Sequence, residues 1–448
     1  MKRGSVLLIN PWIYDFAAYD FWTKPLGLLQ IGGILRDLGY QVQLLDCLDR
    51  HYPKLAASDK PRSRDDGTGK FIRQEIKKPD VLRDIPRRYC RYGLPKALVR
   101  QHLDHMPAPD VVLVTSFMTY WYPAVRDMVT LVREVFPQAP VILGGIYATL
   151  CPEHARRIVK PDILITGEGE QEAVRQVARL TGGAGRNYTY RHLDELGFPA
   201  FELYAQTDST SMQMSRGCPF NCSFCASRRL VNGYRRRSPD NVIAELQHWL
   251  ERKQIRHLAF FDDALLYQPD QLIKPVLRQI AELPELMLHT PNGMTPGLLD
   301  ADLAELFYAS GLCTVRLSFE TSNAQRQLEM SKVTNAQCVR AIENLEKAGY
   351  RRKDIGVYVL MGLPGQDEQE VRDSVRFVHD QGATVKLASF SPIPGTRETG
   401  RAVKMGLWNP DSDLLLTNNT LFPVWKRTTG YENSRMLVEW VKELNSIL

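Results

Sequence analysis

The sequence of 448 residues has no uninterrupted apolar run of the roughly 18 residues that a membrane-spanning helix requires, so no membrane span is expected. Its N-terminal apolar stretch is short and soon meets Pro11 and Asp15, which argues against a signal peptide and predicts a first β-strand. An excess of one charge is also lacking: 57 Lys and Arg face 51 Asp and Glu, too close a balance to indicate a nucleic-acid partner. Eight cysteines without a secretion signal favour metal-binding thiols in a reducing, cytoplasmic compartment over a disulfide framework.

The first part of the sequence alternates short apolar stretches with amphipathic ones, beginning with SVLLIN at Ser5–Asn10. This alternation predicts a parallel sheet covered on both faces, in a doubly wound, Rossmann-like α/β domain over residues 1–181. A polar insertion at about 55–103 lacks periodicity, and a linker is expected over 182–204. The later strands are predicted at Val42–Asp46, Asp110–Ser116, Val141–Gly145 and Asp162–Glu170, with helices at Leu26–Leu38 and Ala124–Val135.

The second half repeats the alternation of strands and helices through six units. The pattern predicts a (β/α)6 partial TIM barrel over 205–400, whose chemistry should lie at the carboxyl ends of its strands. A C-terminal extension, 401–448, ends in an amphipathic helix. The barrel strands are predicted at Ser211–Ser215, His257–Phe261, Leu286–Thr290, Thr314–Phe319, Ile355–Met361 and Val385–Phe390.

Three cysteines share one loop, SRGCPFNCSFCAS, directly after the first predicted barrel strand. Cys218, Cys222 and Cys225 have C-x3-C-x2-C spacing, which allows their thiolates to surround one metal centre. A structural zinc site needs a fourth ligand, and the next cysteine, Cys313, is far along the chain. An iron–sulfur cluster on three thiolates leaves one iron open, and we favour it over a zinc site completed at long range.

This loop, with the aromatic Phe224 just before its last cysteine, resembles the signature of radical S-adenosylmethionine enzymes. The resemblance implies a 4Fe–4S cluster on Cys218, Cys222 and Cys225, whose open iron binds the amino and carboxylate groups of S-adenosylmethionine. Reductive cleavage would then give methionine and a 5′-deoxyadenosyl radical. A flavodoxin- or ferredoxin-type reductant and anaerobic conditions are implied as well.

Three further stretches lie where the resemblance places contacts with S-adenosylmethionine. The aspartates of FFDDALL would accept hydrogen bonds from the methionine ammonium, or would merely cap the next helix or end a strand. LSFETSN would bind the ribose hydroxyls or the methionine end, and the glycines of LMGLPG would let backbone approach the adenine. TPNGM and SPIPGT either line the substrate cavity or form rigid turns. The implied contacts are Phe224, Asp262, Asp263, Ser318, Glu320, Gly362 and Gly365.

The N-terminal domain resembles the cobalamin-binding domain that precedes the barrel in one large subgroup of radical enzymes, through KPLGLLQIGGILRDLGYQVQLLD, VILGGIYAT and ITGEGE. Hydroxyls and glycines at the ends of its strands would contact the corrin or its nucleotide tail. No G-x-G-x-x-G follows the first strand, which disfavours a dinucleotide site. DRHYPK lacks the glycine of the cobalt-ligating D-x-H-x-x-G motif, so no histidine ligand from it is expected. The implied cobalamin contacts are Thr115, Ser116, Thr119, Gly144, Gly145, Gly167, Glu168 and Gly169.

The resemblance covers most of the chain and implies a cobalamin-dependent radical enzyme that methylates an unactivated carbon of a small molecule or a peptide. Two alternatives stay open. One keeps both cofactors for cyclisation, rearrangement or oxidation without methyl transfer. The other is a non-catalytic cobalamin or redox sensor. The five cysteines outside the loop have no second cluster spacing, which disfavours a methylthiotransferase. Substrate identity and oligomeric state do not follow from the sequence.

Overall fold

The apolar runs of the N-terminal half form a five-stranded parallel sheet in the computed structural model, which describes residues 4–56, 60–283, 286–330 and 333–448. Leu7, Leu8 and Ile9 of the first strand are completely buried, as expected where helices cover both faces. The first strand lies between the second and the third. In chain order the strands are Ser5–Asn10, Gln41–Asp46, Val111–Val114, Val141–Leu143 and Ile163–Leu164.

The spatial order of these strands is second, first, third, fourth, fifth. Strand addition therefore reverses between the first and the third strand, and right-handed crossovers place the connecting helices on opposite faces. Leu26–Asp37 packs against Glu170–Thr181 over one face, while Lys96–Asp104 packs against Tyr122–Val135. This confirms the predicted doubly wound fold. Its remaining helices are Ile146–Leu150 and Pro152–Ile158, with short 3-10 turns at Asp80–Leu82, Thr119–Trp121, Leu193–Glu195 and Phe201–Leu203.

The insertion contains short antiparallel strands that periodicity did not predict. Cys90–Tyr92 pairs with Ile13–Asp15 on one side and with Arg73–Glu75 on the other. Tyr19–Asp20 pairs with Gly69–Lys70. Strands of two or three residues are too short to show an alternating pattern, which is why periodicity does not predict them.

The predicted barrel strands form two groups. A four-stranded group has the order Ser209–Met212, His257–Phe260, Met287–His289, Leu312–Thr314, and a three-stranded group has the order Arg316–Glu320, Gly356–Met361, Thr384–Ser389. The second, third and fourth strands of the larger group pair in parallel, and so do the three strands of the smaller group. The fourth predicted strand is thus two strands that part at Val315, one in each group. The partial-barrel class is confirmed, with six strand positions and this break in the fourth.

Helix ends in the second half of the chain follow ordinary capping chemistry. Asp300 accepts from the Leu303 amide at 2.8 Å, and Asp367 accepts from the Glu370 amide at 2.8 Å. The Ser238 hydroxyl accepts from the Asn241 amide at 3.2 Å and so caps the helix Pro239–Arg252. The helices are Ser227–Leu230, Pro239–Arg252, Ile273–Ile280, Ala301–Ala309, Ala324–Met330, Asn335–Lys347, Glu368–Asp380, Arg397–Lys404 and Tyr431–Asn445.

The C-terminal helix, Tyr431–Asn445, closes the outer edge of the three-stranded group. The side-chain amide of Asn445 accepts from the backbone amide of Val385 and donates to its carbonyl, both at 2.9 Å. Val385 lies in Thr384–Ser389, the edge strand. One side chain therefore satisfies both free backbone groups of an edge residue.

The chain divides into two units, Met1–Ser211 with Glu245–Ile255, and Met212–Ala244 with Arg256–Leu448. The division falls inside the strand Ser209–Met212 and inside the helix Pro239–Arg252. In the parts of the chain given above, no helix is long and apolar enough to cross a membrane.

Candidate functional site

The cysteine loop starts from a small antiparallel pair, Ser215–Arg216 with Arg235–Arg236. Gly217 follows with a φ of +77°, and a Cβ there would lie 1.9 Å from the carbonyl oxygen of Gly233, so only glycine fits. The loop then turns back, with the Cys225 amide donating to the Cys222 carbonyl at 3.2 Å. The chain thus presents its three thiols from one tight loop.

The three thiols line one cavity of about 260 Å³. Cys218 and Cys222 are half-buried, and Cys225 is exposed. The opposite wall comes from the SPIPGT stretch and the residue after it, through Gly395, Thr396 and Arg397. Among the described residues, no three His, Cys, Asp or Glu side chains are arranged around a single metal ion. A cubane cluster makes a different demand, because each thiolate binds its own iron at a separate corner.

Backbone amides donate hydrogen bonds to two of the three sulfurs. The Phe220 amide hydrogen-bonds the Cys218 sulfur. The Ser227 amide donates to the Cys225 sulfur at 3.4 Å, and the Ser227 hydroxyl lies 3.2 Å from it. Such donors stabilise sulfur that carries negative charge. Their presence shows that the loop fits a thiolate-bound cluster.

Burial is the main reason that the pKa of the Cys218 thiol rises to about 11, and the nearby Cys225, Cys222 and Asp263 raise it further. Cys222 and Cys225 are thus close enough to Cys218 for negative charge on them to disfavour its thiolate. Cationic iron would offset both the burial and the repulsion. The Cys218 thiol is therefore protonated at neutral pH in the metal-free protein, and it must release its proton when the loop takes up a metal cluster.

The two predicted aspartates have different surroundings. The Asp262 carboxylate is 3% exposed and accepts from the Ser215 amide at 2.6 Å and the Met214 amide at 3.1 Å. It thus joins the ends of the first two barrel strands, as the strand-ending alternative predicts. Asp263 is exposed as a residue, but the protein around its carboxyl group displaces water and so raises its pKa. A hydrogen bond from Ser227 acts in the opposite direction and lowers this pKa. Asp263 is therefore the aspartate close to the cysteines, and its charge also raises the pKa of Cys218.

Burial raises the pKa of Asp262 from 3.8 to about 6, even though hydrogen bonds from Ser215 and Met214 favour the charged form. The folded protein then holds this proton to a higher pH than the unfolded chain does. Protonated Asp262 thus adds about 3 kcal/mol to the free energy of unfolding. This contribution is complete below about pH 4 and is lost as the pH rises through 6. We expect urea unfolding at pH 4.5, 5.5 and 7 to show this fall in wild type and to show less of it in Asp262→Asn. Parallel pH profiles for the two proteins would contradict the assignment.

Glu320, at the carboxyl end of the fourth strand position, has a strained backbone. Its φ is +78°, in the left-handed region that a glutamate rarely adopts, and its side chain is buried. The pairing with Gly356–Met361 shifts register between Ser318 and Glu320, which marks a bulge. Ser318 is also buried, and its hydroxyl lies so close to Gly293 of TPNGM that a Cβ there would be 2.1 Å away. Strain of this kind is typical of a site where side-chain direction matters.

The glycine stretch after the fifth strand position has the turns that were predicted. Gly362 and Gly365 have φ values of +89° and +69°. The Gln366 side chain shapes the turn, because its Oε1 accepts from the Leu363 amide at 3.2 Å and its Nε2 donates to the Leu360 carbonyl at 3.0 Å. Phe224 is half-buried in the cysteine loop. None of its contacts defines a role for it.

An ion pair that sequence reasoning missed holds the glycine stretch in place. Arg326 binds Glu370 through two hydrogen bonds of 2.6 and 2.9 Å, with side-chain exposures of 9% and 12%. A nitrogen of Arg326 also donates to the Gly365 carbonyl at 3.3 Å, and the Thr321 hydroxyl donates to Glu370 at 3.1 Å. LSFETSN and LMGLPG are therefore joined through a buried pair. Both residues read as ordinary surface charges in the sequence.

In the N-terminal unit, the predicted cobalamin contacts all follow the carboxyl ends of the third, fourth and fifth strands. Open parallel sheets bind ligands at this edge, next to the point where strand order reverses. Gly145 has a φ of +97°, and a Cβ there would lie 2.2 Å from the Ser116 carbonyl oxygen. Thr115 and Gly144 are half-buried. The close packing of Gly145 on Ser116 thus requires a glycine where the third and fourth strands end side by side.

Some predicted cobalamin contacts are engaged within the protein. The buried Ser116 hydroxyl donates to the Gly144 carbonyl at 2.7 Å and accepts from the Ala148 amide at 3.2 Å. Thr119 is buried and begins a short 3-10 turn. The Gly167 amide donates to the Thr149 hydroxyl at 2.9 Å, and Gly167, Glu168 and Gly169 precede the helix Glu170–Thr181. Ser116 therefore shapes the edge from inside.

Comparison with known proteins agrees with both units. A family model described as the Radical SAM superfamily matches residues 212–378, and one described as a B12 binding domain matches residues 91–177. The class defined by fold and site is thus that of radical S-adenosylmethionine enzymes with a cobalamin-binding domain. The chain belongs to this family, and its cofactors are a 4Fe–4S cluster, S-adenosylmethionine and cobalamin. The predictions of family, fold class, enzymatic nature and cofactors are confirmed.

Individual relatives have low sequence identity to this chain, but the similarity extends over most of its length. Cytidylyl-2-hydroxyethylphosphonate methyltransferase of Streptomyces wedmorensis is 23% identical over 486 residues, which span 92% of this chain and 84% of that protein. The anaerobic magnesium-protoporphyrin IX monomethyl ester cyclase of Rubrivivax gelatinosus is 24% identical over 64% of this chain and 57% of that protein. The structure of the methyltransferase TsrM from Kitasatospora setae with cobalamin and a 4Fe–4S cluster superposes with a TM-score of 0.65 at 17% identity, over 90% of this chain and 75% of that one. The structural likeness is one of fold.

Proposed function

We propose that this protein is a cobalamin-dependent methyltransferase that uses a 5′-deoxyadenosyl radical to methylate an unactivated carbon of a small molecule or peptide. The observation that carries the proposal is the cysteine loop, whose three thiols surround a cavity at the carboxyl end of a barrel strand. The full-length similarity to a methyltransferase supports methyl transfer over other radical chemistry. An acidic reductant of the flavodoxin or ferredoxin type would supply electrons. The free state of all eight cysteines supports a cytoplasmic site of action.

In this proposal Cys218, Cys222 and Cys225 hold the cluster. When bound, the reduced cluster supplies the electron that cleaves S-adenosylmethionine, and cobalamin supplies the methyl group. The amides of Phe220 and Ser227 stabilise two ligand sulfurs. The remaining protein groups bind and orient the substrate S-adenosylmethionine, a positioning task that accounts for much of catalysis by such sites.

Glu320 is assigned to S-adenosylmethionine, as a carboxylate acceptor for its ribose hydroxyls or its ammonium group. The strained backbone and the burial of this glutamate, at the carboxyl end of a barrel strand, support the assignment. Glycines 362 and 365 let the fifth-strand turn approach the adenine. Phe224, Asp263 and Ser318 complete the proposed set of contacts. Asp262 contributes through the strand ends that it joins.

We expect Glu320→Gln to weaken binding of S-adenosylmethionine about tenfold or more, because hydrogen bonds to a charged acceptor contribute about 1.5–3 kcal/mol. The variant keeps the length of the side chain, so the free energy of unfolding should stay within about 1 kcal/mol of wild type. Equilibrium binding to the reconstituted protein measures the effect. Glu305→Gln, which removes an exposed carboxylate in the same unit, is the control. Equal affinities for the two variants would remove Glu320 from the site.

The proposed cobalamin contacts are Thr115, Gly144, Gly145, Gly167, Glu168 and Gly169, with Ser116 and Thr119 in supporting positions at the same sheet edge. No protein histidine is proposed as a cobalt ligand. His51, the one histidine in the degenerate motif, follows the second strand, and burial lowers its pKa. Its position at the far edge of the sheet supports a role outside the cofactor site.

A cyclase-like reaction without methyl transfer is the second candidate, favoured by the similarity to the Rubrivivax gelatinosus cyclase. Product analysis distinguishes the two. The protein is purified anaerobically with added hydroxocobalamin, reduced, and supplied with S-adenosylmethionine and candidate substrates. Methyl transfer gives S-adenosylhomocysteine together with 5′-deoxyadenosine, whereas the alternative gives no homocysteine product. Absence of 5′-deoxyadenosine under all conditions would contradict both.

A further inference from the structure

Glu398, far from the cysteine loop in sequence, forms hydrogen bonds with that loop. Ser223 lies between Cys222 and Cys225 and is 4% exposed. Its hydroxyl donates to Oε1 of Glu398 at 2.7 Å, and the Glu398 amide donates to the Ser223 carbonyl at 3.1 Å. Glu398 therefore binds both the side chain and the backbone of the residue that separates two ligand cysteines.

Neighbouring contacts extend this attachment to both sides. A guanidinium nitrogen of Arg397 donates to the Asn221 carbonyl at 2.6 Å, next to Cys222. A guanidinium nitrogen of Arg229 donates to the Gly395 carbonyl at 2.9 Å. Gly395 has a φ of +80°, and a Cβ there would lie 2.3 Å from the Arg229 guanidinium carbon. The segment 395–398 is thus fitted against the loop rather than merely near it.

The Glu398 carboxylate has few other contacts. Its residue is 5% exposed, and among the described residues Oε2 has no hydrogen-bond partner. A buried carboxylate with an unsatisfied oxygen is costly, so its retention needs a reason. The position in the first turn of the helix Arg397–Lys404 stabilises negative charge through the helix dipole. The Ser223 hydroxyl is then the side-chain donor that fixes the carboxylate's orientation.

We propose that Glu398 is a positioning residue for the iron–sulfur cluster: through Ser223 it fixes the turn from Cys222 to Cys225, and its negative charge lowers the cluster's reduction potential. The hydrogen bond and the negative charge of the Glu398 carboxylate have separate effects on the cluster. The hydrogen bond restrains the loop, so the cluster is retained. The charge disfavours the extra electron, because reduction adds negative charge close to a buried carboxylate. The inference rests on the proposed assignment of the three cysteines as cluster ligands.

Variants at the two positions separate these effects. Ser223→Ala removes the hydrogen bond, Ser223→Thr keeps a hydroxyl, and Glu398→Gln keeps an acceptor for Ser223 while it removes the charge. Glu305→Gln removes an exposed carboxylate elsewhere in the unit as a control. Each protein is reconstituted anaerobically. The measurements are iron and sulfide content, the rate at which a chelator removes iron, and the midpoint potential from an EPR-monitored titration.

We expect Ser223→Ala to lose iron about tenfold faster than wild type, the factor that corresponds to one hydrogen bond to a charged group. Ser223→Thr should restore slow loss. Glu398→Gln should retain iron almost as well as wild type and shift the midpoint potential to a less negative value, which a purely structural contact would not do. An unchanged chelation rate in Ser223→Ala overturns the restraint, and an unchanged potential in Glu398→Gln overturns the electrostatic effect. Failure of wild type to take up a cluster would instead overturn the cysteine assignment.

Discussion

Cys222→Ala should fold normally but fail to assemble the cluster, so it should produce no 5′-deoxyadenosine. The loop offers three thiols, and a cubane bound by two of them would leave a second iron without a protein ligand. Because the half-buried Cys222 contributes little to packing, the free energy of unfolding of the metal-free protein should change by no more than about 1 kcal/mol. Iron and sulfide analysis, the EPR signal of the reduced protein and chromatography of the adenosine product test the three parts of this expectation.

Cys313→Ala is the matched control for this variant. Cys313 is also in the second unit and is exposed, and its thiol donates to the Gly311 carbonyl at 3.3 Å. Its replacement should leave cluster content and S-adenosylmethionine cleavage unchanged. A Cys222→Ala protein that keeps the iron content and activity of the Cys313→Ala protein would refute the assignment of the loop.

Arg326→Met should destabilise the protein by about 3–5 kcal/mol, the usual cost when one member of a buried ion pair is removed. The Glu370 carboxylate would lose two hydrogen bonds, of 2.6 and 2.9 Å, while it stayed buried. The Gly365 carbonyl would also lose a donor, so the turn after the fifth strand position should loosen and affinity for S-adenosylmethionine should fall. Urea unfolding of the metal-free protein measures the first effect, and equilibrium binding measures the second.

Two further variants test why Arg326→Met lowers the free energy of unfolding. Arg326→Met combined with Glu370→Met removes the stranded charge and should recover much of the stability. Arg401→Met breaks an ion pair with Glu329 in which both side chains are 41% exposed, and it should cost no more than about 1 kcal/mol. If Arg326→Met and Arg401→Met had similar effects on the free energy of unfolding, burial of the Arg326–Glu370 pair would not be what stabilises this region.

The features that sequence reasoning predicted well were those with a strong local pattern. Ser5–Asn10 is a buried apolar run with the predicted bounds, and the cysteine loop has a spacing that few other sites share. The break at Val315 was missed because the residues on its two sides are equally suited to one strand, and only pairing with different neighbours divides them. Strand order in the N-terminal sheet is likewise a property of tertiary packing.

In the candidate site, the directions of individual side chains could not be predicted from the sequence. Two adjacent aspartates have different roles, because Asp262 turns toward backbone amides of another strand while Asp263 lies close to the cysteines. Ser116 carries the right hydroxyl at the right strand end, but its hydrogen bonds are internal. Glu398 is 173 residues beyond Cys225 in sequence (398 − 225), so no local spacing relates it to the loop that it contacts. Residue type and position were predictable, whereas side-chain direction was not.

The amide of Asn445 has a consequence for how this protein behaves at high concentration. Parallel sheets that stop short of closure present a row of free backbone groups, and such rows recruit strands from other molecules. Here the C-terminal helix supplies a side chain that imitates the peptide group of a missing seventh strand at Val385. Removing the last turn of that helix should therefore favour intermolecular strand pairing and precipitation, even though the turn is remote from the cysteine loop in sequence and contains none of the proposed cofactor ligands.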